Sequence, residues 1–146
     1  LPTPQRIIQG IEQKQLILMC AVLEKYLKIP LYEFDLFCKV SGNVKLRGVH
    51  SDCALALSLI SSYYNIPVND IIVFSGEIGL SGDIIAVNDS FLSHNSLFDR
   101  YSVKKIVTGI KEKGTTKNTI DNAQIKKITE LLQFIKKKNY LYNVTK

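Results

Sequence analysis

The sequence has no tryptophan, one methionine, two histidines and three cysteines. Each shortage excludes something. Cys20, Cys38 and Cys53 lie in apolar stretches and none forms a C-x-x-C pair, so neither a disulfide framework nor a zinc ribbon is encoded. Three scattered thiols suit small core residues in a reducing compartment. Neither His50 nor His94 stands at ligand spacing from a cysteine, so no metal site is expected. No apolar run approaches the roughly 18–20 residues of a membrane span, and no signal peptide is visible. There is no G-x-x-x-x-G-K-[ST] loop, which excludes nucleotide binding by that device.

What remains is ordinary for a globular chain: 46% hydrophobic and 22% charged over 146 residues, enough for a single domain with its own core. Met19 is the only methionine and the chain opens at Leu1, so it is expected to be a piece of a longer protein. Residues 1–6, with Pro2 and Pro4, suit an extended linker, and residues 139–146 suit a frayed tail. The net charge of +6 is uneven. Residues 104–146 carry eleven lysines against three acids, a net +8, whereas residues 1–103 carry eight basic against ten acidic groups, a net −2. A basic end on a neutral body fits an acidic partner such as nucleic acid; solvated helix faces explain it as well.

Periodicity gives the elements. Leu16, Met19, Cys20, Leu23 and Leu27 predict a helix over 13–28, stopped by Ile29-Pro30. Residues 34–40 read as a strand, Ser41-Gly42-Asn43 as a turn, and 44–47 as a second strand pairing back on the first. Ser51, as N-cap, and Asp52, in the first turn, open a nearly all-apolar helix over 53–64 that should be central. Residues 71–75 predict a buried strand continued by 76–80; after a Ser81-Gly82-Asp83 turn, 84–87 returns as its partner. A helix over 89–100, a strand over 105–108, a polar loop over 109–119 and an amphipathic helix over 121–138 follow. The order predicts an α/β domain with a mixed sheet of the α+β kind.

Four blocks in this order carry a family resemblance. The segment Ile71–Val87, I-I-V-F-S-G-E-I-G-L-S-G-D-I-I-A-V, resembles a G-E-[IV]-x-L-x-G hairpin shared by Lon proteases and the C-terminal domain of RadA (Sms) DNA-repair proteins, and its Val73-Phe74 and Gly79 lean towards RadA. Asp52-Cys53-Ala54-Leu55-Ala56-Leu57 resembles RadA's A-D-L-A-L-A-L helix. Ala21-Val22-Leu23-Glu24-Lys25 resembles its L-A-V-L-E-[KR] helix, and Asp35-Leu36-Phe37 with Val40-Ser41-Gly42 its D-[LV]-F-V-N-V-x-G-G strand and turn. The likeness runs over about residues 6–107; Lys39, Asn43 and Gly48-Val49-His50 depart from it.

The resemblance implies a Lon proteolytic-domain-like fold, of the ribosomal protein S5 domain 2-like type. It implies the Lon-like domain of a DNA repair and recombination ATPase, whose P-loop, zinc finger, ATP, Mg and Zn would sit upstream. It also implies a hexameric ring, a duplex or branched DNA partner, contact with a recombinase or helicase, and a bacterial cytoplasm or an organelle as location. Lon chemistry needs a serine nucleophile and a buried lysine base within bonding reach. Alignment on the hairpin puts His50 at the serine position and Ser93 at the lysine position, and no lysine lies between Lys45 and Lys104. Ser51 is one residue along, turned by about 100° on a helix. A pseudo-protease is therefore expected, with Asp52 capping its helix and Glu77 satisfying backbone donors beside the hairpin. Lys39, Lys45 and Arg47, at period-2 spacing, are the DNA-binding candidates; blunting of an exposed strand edge accounts for them equally. A peptidase of unusual His50–Ser93 dyad and a pure protein-interaction module stay open as alternatives.

Overall fold

The structure, a computed structural model, describes residues 2–68, 70–88, 95–109 and 120–135. Strand β1 (Arg6–Gln9) leads into helix α1 (Gln13–Leu27), a 3-10 turn (Leu31–Glu33) and strand β2 (Leu36–Lys39). Helix α2 (Asp52–Tyr64) follows, then β3 (Ile72–Ser75), β4 (Glu77–Ile78), β5 (Ile84–Ile85), α3 (Asn95–Arg100), β6 (Lys105–Gly109), β7 (Asp121–Ile125) and a 3-10 segment (Ile128–Phe134).

The pairing is mixed. β1 and β2 run parallel, joined through α1, because parallel neighbours need a crossover rather than a tight turn. β3, β6 and β7 form a parallel three-stranded sheet in the order β3-β6-β7. β4 and β5 form the antiparallel hairpin expected from the Ser81-Gly82-Asp83 turn, with Glu77 opposite Ile85 and Ile78 opposite Ile84. The mixed α/β class is as predicted.

α2 is the hub, as its composition requires: Cys53, Leu55, Ala56, Leu57, Leu59 and Ile60 are all buried. It touches α1, β3, β4 and the last 3-10 segment. Leu16 and Leu23 of α1, Ile29, and Ile125, Ile128, Leu131 and Ile135 complete one core around it. Both long helices end in a left-handed residue, Lys28 (φ 58) and Asn65 (φ 53), just ahead of the positions where Pro30 and Pro67 forbid continuation.

Two predicted elements are corrected. Residues 44–47 form no strand. The turn is made, with Gly42 and Asn43 both at positive φ (81 and 55), but the amide of Leu46 donates to the carbonyl of Gly10 at 2.8 Å instead of returning to β2. β2 has already taken β1 as partner, so the return segment crosses β1's end. Of the helix predicted over 121–138, residues 136–138 lie outside the described residues, and 121–135 are not one helix. Asp121–Ile125 is strand β7, bonded along β6, and the chain then tightens into the 3-10 segment. The inward residues of that segment were read correctly; their spacing of three or four suits a 3-10 turn as well as an α-helix. Of the helix predicted over 89–100, residues 95–100 are helical and 89–94 lie outside the described residues, as do 110–119 of the predicted loop and the tail 139–146. Arg6, placed in the linker, is the first residue of β1, and its guanidinium donates to the carbonyls of Leu31 and Phe34.

The hairpin is fixed on both sides. Ile84 N–H donates to the Lys126 carbonyl at 2.8 Å, and Ile128 N–H to that of Gly82 at 2.9 Å. Across the same junction Lys127 pairs with Asp83, which also accepts from Ser81 Oγ at 2.6 Å. Behind it β6 approaches so closely that a β-carbon on Gly109 would sit 2.4 Å from the Ile85 carbonyl carbon. Gly109→Ala should therefore cost about 1–3 kcal/mol, the range for forcing a methyl group into a closed site. Gly79→Ala, whose added carbon would find nothing nearer than 3.6 Å, should change stability by less than about 0.5 kcal/mol. Urea unfolding of the two variants checks this; equal midpoints would refute the tight junction.

Candidate functional site

The site inherits its layout from the start of α2. Gly48-Val49-His50-Ser51 brings the chain over the β3–β4 junction, where Gly76 N–H reaches the His50 carbonyl at 3.4 Å. His50 is exposed there. Its proposed counterpart, Ser93, lies outside the described residues.

Ser51 stands at the N-cap position, and its carbonyl accepts the first helical bond from Leu55 N–H at 2.9 Å. Its side chain makes no capping bond, contrary to expectation. At φ −89, ψ 1 the backbone is outside the extended region that aims a cap oxygen at the first-turn amides. No lysine among the described residues bonds Ser51 Oγ.

Asp52 does something other than cap its helix. It is only 5% exposed, and both its oxygens are taken by partners outside α2. Oδ1 accepts from Gln15 Nε2 of α1 at 2.6 Å, and Oδ2 accepts from the Ile78 amide of the hairpin at 3.0 Å. The carboxylate that satisfies a hairpin donor is thus Asp52's; that role was assigned to Glu77, which instead lines the adjacent hollow. Gln15 was missed. The only signal for it was a polar residue one place before Leu16 in an otherwise patterned helix. At the N-terminus of α2 the carboxylate also meets the positive end of the helix dipole.

Next to it, Cys53 Sγ is buried against the Gly76 carbonyl at 3.5 Å. Burial, helped by the neighbouring Asp52 charge, pushes the Cys53 thiol up to about 12. Cys20 and Cys38 are half-buried, and desolvation raises both. All three are free thiols.

Two hollows flank α2. One, of about 290 Å³, lies between α1 and the hairpin, with Gln15, Asp52 and Glu77 in its wall. The larger, of about 630 Å³, runs between β2 and α2. Its walls are mostly apolar, from Leu36, Leu46, Leu55 and Leu59, with Ser51, Ser58 and Ser62 along the helix side.

The three cations proposed for DNA are all exposed. They do not share a strand pair. Lys39 ends β2, whereas Lys45 and Arg47 sit in the irregular return segment on either side of half-buried Leu46. The alternation of 45, 46 and 47 survives without a strand, because Leu46 is held by its bond to Gly10. The basic C-terminal stretch is described only in part. Lys104 and Lys126 are exposed, and Lys127 is spent on Asp83. Among the described residues no three His, Cys, Asp or Glu side chains converge as a metal site would require.

These features define a mixed α/β domain with a buried carboxylate clamp at the head of its central helix. No family model matches the chain. Individual relatives do. It is 34% identical over 135 residues to the DNA repair protein RadA of Haemophilus influenzae, covering 90% of this chain and 29% of that protein. It is 41% identical over 85 residues to RadA of Pseudomonas aeruginosa, 58% of this chain and 18% of that one. To RadA of Mycobacterium tuberculosis it is 36% identical over 86 residues, 59% and 18%. The resemblance read from the four sequence blocks is borne out: over this span the chain is a relative of the RadA DNA repair proteins, of whose length it spans less than a third.

Two outcomes are expected at the head of α2. Asp52→Ala strands the Gln15 amide and the Ile78 N–H and should cost about 1–3 kcal/mol for each group left unpaired. Asp52→Asn should cost much less, since a flipped Gln15 amide can still bond it. A pair of variants with the same urea midpoint would show that the clamp contributes nothing. Cys53 should resist iodoacetamide at pH 8 while Cys20 and Cys38 are alkylated. Because its folded value lies above the ordinary 9, its contribution to stability is complete below pH 9 and is lost as pH rises towards 12. Peptide mapping after alkylation reads the first effect, and fast labelling of Cys53 in the folded protein would contradict it.

Proposed function

We propose that this chain is the Lon-like, proteolytically inactive part of a RadA-type DNA repair and recombination ATPase, and that it serves as an assembly scaffold and a duplex-DNA contact. The RadA likeness over 135 residues supports the family role. The observation that carries the DNA half is the group of exposed cations at one end of the β1–β2 pair, Lys39, Lys45 and Arg47, none of them spent on an ion pair among the described residues. Phosphate contacts need cations that have not been neutralised locally. The reading of lost peptidase chemistry rests on His50 at the serine position and on Ser51, which no described lysine bonds. ATP, Mg and Zn belong, in this reading, to parts of such a protein outside this chain, as does the ring's ATP-driven motor, with a recombinase or helicase as client. A bacterial cytoplasm suits that role; among the described residues no helix is long and apolar enough to cross a membrane.

The test is a duplex-DNA titration followed by fluorescence anisotropy at several salt concentrations. Binding should weaken as salt rises, and the triple change Lys39→Gln, Lys45→Gln, Arg47→Gln should lower the log–log salt slope by about 0.9 for each lost phosphate contact. An unchanged slope would remove these residues from the interface, and no binding at low salt would end the DNA half. Casein should survive incubation with the protein; digestion abolished by His50→Ala or Ser93→Ala would instead establish the peptidase alternative.

A further inference from the structure

The open edge of β2 is a place where a chain can be added. β2 meets β1 through alternate residues: Leu36 N–H donates to the Gln5 carbonyl and Val40 N–H to that of Gln9, both at 2.9 Å. A parallel ladder uses every second residue of a strand, so Cys38 completes this side, and Phe37 and Lys39 turn their N–H and C=O groups the other way. Among the described residues no other strand pairs with β2. Edge groups of this kind are usually covered or blunted, and here they border the 630 Å³ hollow against α2.

We infer that the groove between β2 and α2 binds an extended peptide of a partner protein by strand addition, with alternate apolar side chains and an acidic end. The backbone of Phe37 and Lys39 supplies the main-chain bonds. Every second side chain of the added strand then faces α2, where Leu55, Leu59 and Ser58 line the wall. The acidic end follows from Lys39 at the finish of β2, with exposed Lys45 and Arg47 beyond it. Exposed Phe37 (66%) and Ile7 (54%), partners in the β1–β2 register, lie on the outer face and extend the apolar surface beside the added strand. The inference does not rest on DNA binding.

The experiment is a titration, without nucleic acid, of the protein into a fluorescein-labelled synthetic peptide of alternating valine and threonine closed by two aspartates. Saturable binding is expected. The same peptide N-methylated at two alternate positions on its bonding edge should bind about tenfold or more weakly, while methylation on the opposite edge should not matter. Ser58→Phe, which fills the groove from an exposed helix position, should abolish binding. Phe37→Pro should do the same, since it deletes an N–H that β1 does not use. The methylated peptides leave the protein untouched, so they decide the matter if a variant is unstable. Absence of binding, or binding indifferent to which edge is methylated, would overturn the proposal. So would sedimentation showing self-association that Ser58→Phe abolishes, because a second copy would then be the occupant. A protein that binds the peptide but not duplex DNA keeps this inference and loses the DNA reading.

Discussion

A single buried carboxylate ties the three parts of this fold together. Asp52 belongs to the central helix, yet its oxygens bond α1 through Gln15 and the hairpin through Ile78. A carboxylate only 5% exposed is costly unless its lone pairs are satisfied, and both oxygens have donors here. The cost enforces geometry: α1, α2 and β4 have to arrive together or the charge is stranded. Gly76 is the counterpart on the backbone side. A β-carbon there would meet Ile84 at 2.9 Å and Cys53 Sγ at 3.2 Å, so the strand can pass this close to the helix only as glycine.

In the Lon-like reading proposed above, that lock would occupy the place where hydrolysis needs freedom of a different kind. A nucleophile at a helix start must be exposed to substrate and bonded to a base of lowered pKa. In this chain the first turn of α2 is committed to structure. Asp52 is clamped, Cys53 is packed and protonated, and Ser51 makes no bond to a lysine among the described residues. The bonds of Asp52 and Cys53 there join the helix to its neighbouring elements.

Local patterns were legible in the sequence, and non-local partners were not. The helices over Gln13–Leu27 and Asp52–Tyr64 and the Ser81-Gly82-Asp83 hairpin follow from apolar period, caps and turn residues that lie within one segment. Val44–Arg47 and Asp121–Ile125 failed for the opposite reason. The first lost its predicted ladder because β2 pairs with β1, some thirty residues upstream, and Leu46 bonds Gly10. The second became a strand because β6 offers a parallel edge; the short alternation of inward Ala123 and Ile125 with exposed Asn122 and Gln124 is outweighed in the sequence by the helical spacing of the apolar residues that follow. Burial was read better than conformation there, since Ile125, Ile128, Leu131 and Ile135 are all inside.

The same distinction governs the candidate functional residues. Lys39, Lys45 and Arg47 could be picked from the sequence because charge and spacing are local properties. The groove could not, because it exists only once β1 has claimed one side of β2 and left the other facing α2. Topology thus converts an ordinary four-residue strand into a surface with two separable properties. One is a set of main-chain groups without a strand partner among the described residues, which would favour any extended chain regardless of its sequence. The other is a cationic end, which selects acidic partners at long range and weakens with salt. Lys39 belongs to both, so an acidic peptide seated in the groove and a phosphate backbone laid across the cations would draw on the same charge. Occupancy of one site would then weaken the other by electrostatics alone, with no change of conformation required.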